Sequence, residues 1–291
     1  MNIILGASGQ VGSAITDFLT EKKVPVKAVI RDAEKAKKLK EKGAEVVLAD
    51  YFDLDALKEA VKGGKLIFVI TPETGQSDNV LGDTKRILEN YRKAIENSEI
   101  KAIVGLSSGG AHYEKYERDT GNLLMSNMLE HEFVSLPINQ VFIRPSYFYS
   151  NWLMSVDLVK ETGVLPSFYP PDLKIEMNSP IDVAEFIANI ISEGVNKSDL
   201  IELAGPEQYS ANQVANELAK ALGREVRTQE IPHDKWEETM KSIGFTDDAA
   251  KNFIKMTELV AEGNAKFERK GKNPISLKTT LSDYFKLKLE A

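Results

Sequence analysis

Three glycines near the start of the chain have the spacing and the context of a phosphate-binding turn. In the segment NIILGASGQVG, an apolar run passes into Gly6, Gly9 and Gly12, and the amphipathic stretch SAITDFLTEKK follows directly. Between a strand and a helix, such glycines allow a tight turn, close approach of a phosphate and close helix packing, while the first helical amides face a pyrophosphate. The spacing GxxGxxG differs from the common GxGxxG, and the alternative is an ordinary turn. The residues that we predict to bind a dinucleotide here are Gly6, Ala7, Ser8, Gly9, Gln10, Val11 and Gly12.

The end of the next apolar run should decide which dinucleotide is bound. A carboxylate at this place binds the 2′-hydroxyl of NAD, whereas a cation accommodates the 2′-phosphate of NADP. The run ends in AVIRD, so Arg31 occupies the tip, while Asp32 is expected to cap the helix that follows. We therefore predict NADP (NADPH) as the cofactor in preference to NAD, with Lys35 one turn further on as an assisting cation. The alternative for Arg31 is a solvated surface charge.

These residues need a framework of strands, and the sequence supplies one. Short β-branched runs alternate with helical segments, which is typical of a parallel sheet buried on both faces. We expect an α/β protein with a Rossmann-type, doubly wound parallel sheet. The runs that predict its strands are Ile3 to Leu5, Val26 to Ile30, Glu45 to Leu48, Leu66 to Ile70, Ala102 to Gly105 and Val141 to Ile143.

After Arg144 the sequence becomes rich in aromatic residues and proline, and from Ser210 onward it is mostly helical. This change predicts a smaller, mostly helical second lobe that covers the carboxyl edge of the sheet. We expect residues 1–147 with 178–205 to form the NAD(P)-binding Rossmann domain, and residues 148–177 with 206–291 to form the substrate-binding lobe.

Composition excludes several classes of function. The 291 residues carry 37 basic and 44 acidic side chains, a net charge of -7 spread along the chain, so nucleic acid and anionic membrane are poor partners. The absence of cysteine excludes disulfides, thiol nucleophiles and cysteine-ligated metals, and the three scattered histidines have no metal-ligand spacing, so we predict no metal site. Without an apolar run of about 18 residues or a basic leader, we expect a soluble, cytoplasmic protein. The oligomeric state stays open.

Six segments together resemble a known family, the NmrA-like branch of the atypical short-chain dehydrogenases, which includes quinone-oxidoreductase-like and triphenylmethane-reductase-like enzymes. The resemblance spans nearly the whole chain and depends on the order and spacing of these segments. They are GASGQVG, VIRD, GAEVVLADYFDLDALKEAVKGGKLIFVITP, FIRPSYFYSNW, SPIDVAEFIANII and ELAGPEQYSANQVANELAKALGREV.

The resemblance implies roles for residues that follow the third and fourth strands. Asp50 matches the acidic residue that accepts a hydrogen bond from the adenine amino group, and Tyr51 would flank the adenine ring. Thr71 and Pro72 match the backbone path beside the nicotinamide ribose. The alternative for Asp50 is a solvated turn.

Ordinary short-chain dehydrogenases use a tyrosine and a lysine four residues later, because the lysine lowers the tyrosine pKa for proton transfer. Only Tyr284 with Lys288 has this spacing, and we interpret that match as chance on a solvated terminal helix. Near the place where related families carry the lysine, this chain has Ser126 or Asn127. The usual acid-base pair is therefore predicted to be missing, which also disfavours a nucleotide-sugar epimerase.

Two functions stay open at this point. A reductase needs no strong proton donor when its hydride acceptor is electron-poor, as a quinone or a cationic dye is. Alternatively, the chain is a non-catalytic NADP(H)-binding redox sensor that acts through a protein partner.

Aromatic residues favour the enzyme, since they could form the wall of a site for a small aromatic or quinone-like substrate; their alternative is a core or lobe interface. This group is Tyr147, Phe148, Tyr149, Trp152, Phe168 and Tyr169. We expect the substrate to contact His112, Tyr147, Phe148 and Trp152. Ser107 and Ser108 follow the fifth strand, where this fold faces the nicotinamide and substrate, although they also fit ordinary turn chemistry. The catalytic candidates are Ser107, His112 and Tyr147, and His112 could equally be a plain loop residue.

Overall fold

Strands of the protein alternate with helices along most of the chain. The computed structural model describes residues 1–71, 75–116, 119–264 and 266–289. The strands are β1 (Asn2–Leu5), β2 (Val26–Ile30), β3 (Glu45–Leu48), β4 (Leu66–Ile70), β5 (Ala102–Leu106), β6 (Asn139–Pro145), β7 (Tyr147–Phe148), β8 (Val164–Ser167), β9 (Ile175–Asn178), β10 (Asp199–Ala204), β11 (Gln208–Tyr209), β12 (Arg227–Glu230) and β13 (Ile275–Ser276).

Helices connect many of these strands along the chain. They are α1 (Gln10–Glu21), α2 (Ala36–Glu41), α3 (Leu54–Val61), α4 (Val80–Glu96), α5 (Asn122–Glu132), α6 (Ser150–Leu153), α7 (Val156–Thr162), α8 (Pro180–Glu193), α9 (Ala211–Leu222), α10 (Trp236–Ser242), α11 (Asp247–Ala261) and α12 (Leu281–Leu289). Within the described ranges, none of these helices combines the length and the apolarity that crossing a membrane requires.

Eight of the described strands form one sheet, in the order β13-β10-β6-β5-β4-β1-β2-β3, and every pairing within it is parallel. The order reverses between β1 and β4, so the loops after these two strands diverge and leave a crevice at the carboxyl edge. The predicted Rossmann-type α/β fold is therefore confirmed.

Alternation along the strands explains why both faces of the sheet are covered. In β1, Ile4 packs with helices α1 and α8 on one face, whereas Ile3 and Leu5 pack with α3, α4 and α5 on the other. Side chains of a strand point alternately to opposite faces, so an uninterrupted apolar run fills two cores at once. The predicted strands β2, β3 and β4 have the expected bounds, while β6 extends two residues further at each end.

The helix cap expected at Asp32 forms in the structure, and Asp53 makes a similar cap one helix later. The Asp32 carboxylate accepts a hydrogen bond from the Glu34 amide at 2.9 Å, where a short 3-10 turn precedes α2. Asp53 accepts from the amides of Asp55 and Ala56 and so caps α3. Asp32 therefore has a structural duty, which leaves Arg31 as the charged residue free to face a ligand at this strand end.

A separate apolar cluster lies beyond the sheet and belongs to the second lobe. It combines residues of α6, α7, α9 and α12 with residues of β8, residues of the small sheet β11-β9-β7, and Val226, which precedes β12. The domain boundaries stay a prediction, although β13, which lies inside the range 206–291, pairs with β10 of the main sheet.

One carboxylate of α8 holds the chain that leads into α12. The two carboxylate oxygens of Asp182 accept hydrogen bonds from the Lys278 amide and from the amide and hydroxyl of Thr279, at 3.2, 2.9 and 2.6 Å. Helix α12 then buries Tyr284 in the lobe core, where its ring centroid lies 5.7 Å from that of Tyr149. The expectation of a solvated terminal helix is wrong for this face, and Tyr284 is a core residue.

Replacing Asp182 by alanine should detach this segment. We expect Asp182→Ala to lower the free energy of unfolding by about 2 kcal/mol, because it leaves three donors without their charged acceptor. Urea unfolding followed by circular dichroism measures the change. Glu185→Ala, at an exposed position of the same helix, is the matched control and should change stability by less than about 0.5 kcal/mol. Equal effects of the two substitutions would contradict this role of Asp182.

Candidate functional site

The glycine turn between β1 and α1 has the geometry of an anion site. Gly6 adopts a left-handed conformation with φ of +66°, and Gly9 caps α1 with its backbone alone because it has no side chain. The Gly9 amide donates to the Gly6 carbonyl at 2.9 Å, which closes the turn. The first amides of a helix have no partner within the helix, so those that follow Gly9 are available to a ligand.

Close packing makes glycine necessary at the third position of this turn. A Cβ atom at Gly12 would lie 2.3 Å from the Gly6 carbonyl oxygen, so no other residue fits without moving α1 away from β1. Ala7 and Val11 are buried and support the turn from the core side, whereas Gly9 and Gln10 are exposed. Ser8 is half-buried. The turn therefore presents backbone outward and side chains inward, as a phosphate cradle requires.

Tyr51, which follows β3, closes the turn from the neighbouring side. Its hydroxyl accepts a hydrogen bond from the Gly6 amide at 2.5 Å, and its ring is 5% exposed. Burial raises the pKa of Tyr51, while the Gly6 hydrogen bond and the charge of Arg31 oppose that rise. The exposed Arg31 places its guanidinium carbon 5.8 Å from the centre of the Tyr51 ring. Gly6, Arg31 and Tyr51, which follow β1, β2 and β3, are thus brought together.

Asp50 lies exposed beside this group. One of its carboxylate oxygens accepts from the Phe52 amide at 3.0 Å, so the exposed residue begins a tight turn. The backbone of this turn is held by Asn90, whose side-chain amide donates to the carbonyls of Tyr51 and Phe52 at 3.1 Å each. Sequence reasoning missed Asn90, because an asparagine within a helix carries no signal of a distant partner.

The fourth strand leads toward the middle of the crevice. Thr71 follows β4 directly and is half-buried, while Pro72 lies outside the described residues. The roles predicted for both therefore stay predictions.

A cavity of about 1150 Å³ opens at the carboxyl ends of β5 and β6 and continues into the second lobe. Five of the six predicted aromatic residues line it, namely Tyr147, Phe148, Trp152, Phe168 and Tyr169. The sequence missed Phe245, Phe253 and Phe267, which come from the C-terminal third of the chain. Among the described residues, the charged side chains lining this cavity are Glu176, Glu230 and Lys266.

Edge-to-face contacts fix the aromatic wall. The Tyr147 ring lies 5.7 Å from Tyr169 at 88° and 6.0 Å from Trp152 at 64°. Burial raises the pKa of Tyr147 to about 12, against the opposing effect of hydrogen bonds with Tyr169 and Asn151. Tyr147 therefore stays protonated at neutral pH and can donate a hydrogen bond into the cavity.

Two predicted residues lie elsewhere. Tyr149 is fully buried in the lobe core, 5.9 Å from the ring of Tyr209, because successive residues of β7 and the start of α6 point in different directions. His112 is 4% exposed, stacks on Tyr113 with ring centroids 4.3 Å apart, and does not line the cavity. The structure does not bring His112 to the substrate contacts expected for it.

Ser107, which follows β5, lines the cavity and also contacts a buried ion cluster that the sequence did not reveal. Its hydroxyl donates to Glu130 of α5 at 2.5 Å, and both Glu130 oxygens accept from Arg144 of β6 at 2.6 Å. The third guanidinium nitrogen of Arg144 donates to Glu268 at 2.6 Å. The sequence did contain one sign of this cluster, because an arginine stands at the end of a strand that is predicted to be buried. A buried arginine needs a carboxylate partner.

Ser126 and Asn127, which we predict to stand where related families carry the lysine, both belong to α5. Ser126 is buried in α5, and the Asn127 side chain donates to the Ala111 carbonyl at 3.0 Å. Neither residue lines the cavity. The absence of the usual acid-base pair stays a prediction. In the described part of the chain, no group of three or more histidine, aspartate or glutamate side chains could hold a metal ion.

Comparison with known proteins gives the same picture over the full length. The NmrA-like family model matches residues 2–285. The chain is 29% identical over 257 residues to quinone oxidoreductase 2 of Escherichia coli (strain K12), and 26% identical over 252 residues to an NAD(P)H azoreductase of Xenophilus azovorans. Each alignment covers 86% of this chain and 84% of the relative.

A solved structure shows how far the fold extends. The NADPH complex of the NADPH-dependent quinone oxidoreductase from Escherichia coli superposes with a TM-score of 0.80 and 25% identity, and the match covers 99% of both chains. The likeness therefore includes the glycine turn, the sheet and the second lobe together.

The glycine turn can be tested by adding one carbon atom. We expect Gly12→Ala to push α1 away from Gly6, to destabilise the protein by about 1–3 kcal/mol and to weaken NADP binding by at least about tenfold. Equilibrium titration with NADP measures the binding. Ser13→Ala, which adds no atoms to the same turn, is the control. Unchanged NADP binding by a folded Gly12→Ala variant would rule out this turn as the phosphate site.

Proposed function

Because the chain belongs to the NmrA-like family, we propose that it transfers hydride from NADPH to a small aromatic or quinone-like acceptor. It is an NAD(P)H-dependent oxidoreductase, the activity named for its relatives. The observation that carries the proposed acceptor is the aromatic-walled cavity, because it begins where the nicotinamide end of a bound cofactor would lie.

The residues at the crevice fit the cofactor part by part. The backbone from Gly6 to Gly12 would bind the pyrophosphate, and the exposed Arg31 would bind the 2′-phosphate. Asp50, whose side chain is exposed, would accept from the adenine amino group. Bound NADPH supplies the hydride, and the protein supplies position and exclusion of water.

The cavity favours flat, apolar acceptors. Rings of Tyr147, Trp152 and Tyr169 meet edge to face at the cavity wall, where Tyr147 is half-buried and the other two are buried. A planar acceptor gains both buried area and ring contact from such a wall. We propose that the acceptor lies against these rings.

Catalysis here needs no tyrosine-lysine pair. A quinone accepts hydride at one end of its conjugated system, and the resulting anion takes its proton from water, so the atoms balance without a strong protein acid. Tyr147, with a pKa of about 12, can stabilise that developing anion as a hydrogen-bond donor while keeping its own proton. Positioning of the nicotinamide against the acceptor would then supply most of the rate.

Turnover is tested directly with purified protein. We expect NADPH to lose its reduced-nicotinamide absorbance when mixed with at least one of several quinones, and not with simple aliphatic ketones, which are poor hydride acceptors without a proton donor. Anaerobic conditions keep the hydroquinone from being reoxidised. Tight NADP binding without turnover of any quinone or azo compound would instead support the redox-sensor alternative.

Cofactor choice is tested at Arg31. We expect Arg31→Glu to weaken NADP binding by about tenfold or more while NAD binding changes little, because the variant replaces the cation beside the 2′-phosphate by a like charge. Lys38→Glu makes the same charge reversal at an exposed position of α2 and serves as the control. An undiminished preference for NADP in Arg31→Glu would remove Arg31 from the cofactor site.

A further inference from the structure

The buried cluster beneath the cavity consists of one cation and two anions. Arg144 is 2% exposed, and its guanidinium meets Glu130 in a two-point contact and Glu268 in a single contact. Burial alone would lower the pKa of Arg144, but the hydrogen bonds and charges of both carboxylates raise it above its ordinary value. The cation therefore keeps its charge and all the donors that face the carboxylates.

Donor and acceptor counting then fixes the direction of the Ser107 hydroxyl. Both oxygens of Glu130 already accept from guanidinium N–H groups, so Glu130 is a carboxylate with acceptors only. The Ser107 hydroxyl has a single proton, and the 2.5 Å contact directs it to Glu130. The Ser107 oxygen then has only its lone pairs left, so it can only accept a further hydrogen bond.

Ser107 lies between this cluster and the cavity that it lines. We propose that Ser107 is an obligate hydrogen-bond acceptor that recognises the carboxamide N–H of the nicotinamide, with Glu130 and Arg144 as its positioning residues. The inference rests on the proposed function, since it assumes that the nicotinamide enters this cavity.

The chemistry of the reactants identifies the carboxamide. A quinone offers only acceptor oxygens, which cannot pair with a serine lone pair. The nicotinamide carboxamide carries two N–H donors in both redox states of the cofactor. Ser107 is consequently a poor proton donor to the substrate, which removes it from the catalytic candidates and makes it a group that contacts and orients the cofactor.

Topology places Ser107 at a suitable distance along the crevice. It continues β5, with its amide donating to the Ile143 carbonyl of β6 at 2.8 Å, and β5 is separated from the glycine turn on β1 by β4 alone. A dinucleotide with its pyrophosphate at that turn extends across the carboxyl ends of these neighbouring strands.

The test uses a cofactor that lacks the donor. In 3-acetylpyridine adenine dinucleotide phosphate, a methyl group replaces the carboxamide nitrogen, so the analogue cannot donate to Ser107. Equilibrium binding of the oxidised forms requires no turnover. We expect the wild-type protein to bind NADP about tenfold more tightly than the analogue, because the analogue leaves a buried acceptor unpaired.

The Ser107→Ala variant should lose this discrimination and bind NADP and the analogue within about twofold of each other. Its Glu130 carboxylate keeps both contacts to Arg144, so the cluster remains paired. The matched control is Ser126→Ala, which removes a buried hydroxyl of α5 that does not line the cavity, and should keep the wild-type ratio. In Glu130→Gln the carboxylate that accepts the Ser107 proton is lost. This variant should therefore discriminate less between NADP and the analogue, as Ser107→Ala does.

The outcomes separate this inference from the proposed function. Discrimination that is lost in Ser107→Ala upholds the inference, even if no quinone is ever turned over. A wild-type protein that binds both dinucleotides equally overturns it, and so does a Ser107→Ala variant with the full wild-type ratio. A Ser107→Ala variant that keeps the ratio but raises the KM of the acceptor would reassign Ser107 to the acceptor side.

Discussion

The close approach of Gly12 to Gly6 is the constraint on which the rest of the proposed cofactor site depends. With no Cβ atom between them, α1 begins directly against the end of β1, at the point where the strand order reverses. Helix α1 also packs against α8 through one of the two cores, so its start cannot shift without disturbing the sheet. The Gly6 amide of the same turn donates to the Tyr51 hydroxyl, which connects the turn to the segment that follows β3.

The other end of the crevice depends on charge. A guanidinium and two carboxylates are largely buried beneath an apolar cavity, and such a group is favourable only when its donors meet acceptors. Glu268 brings the C-terminal segment to this cluster, and the amides of Glu268 and Arg269 donate to Glu202 of β10. The cluster therefore connects β5, β6 and β10 with helix α5 and with the part of the cavity wall that contains Phe267.

Local features were predictable from the sequence because they depend on neighbouring residues. Apolar runs gave strands β2, β3 and β4 with their bounds, and Asp32 and Asp53 capped the segments that follow them. Long-range contacts could not be predicted in this way. Arg144 and Glu268 are 124 positions apart, and the residues around one give no indication that it contacts the other. The direction in which each aromatic side chain points could not be predicted either. Tyr147 lines the cavity whereas Tyr149 lies in the lobe core, although both belong to the same aromatic run.

The proposed reaction requires the glycine turn at one end of the crevice to bind the pyrophosphate while the cavity at the other end holds the hydride acceptor. A single-turnover experiment tests that connection most directly: NADPH deuterated at the transferred position of C4 is bound to excess protein and mixed with a quinone. We expect one rapid loss of the reduced-nicotinamide absorbance, slower for the deuterated cofactor, with the label absent from the NADP produced. Bound NADPH that persists, or NADP that retains the deuterium, would contradict hydride transfer in this cavity.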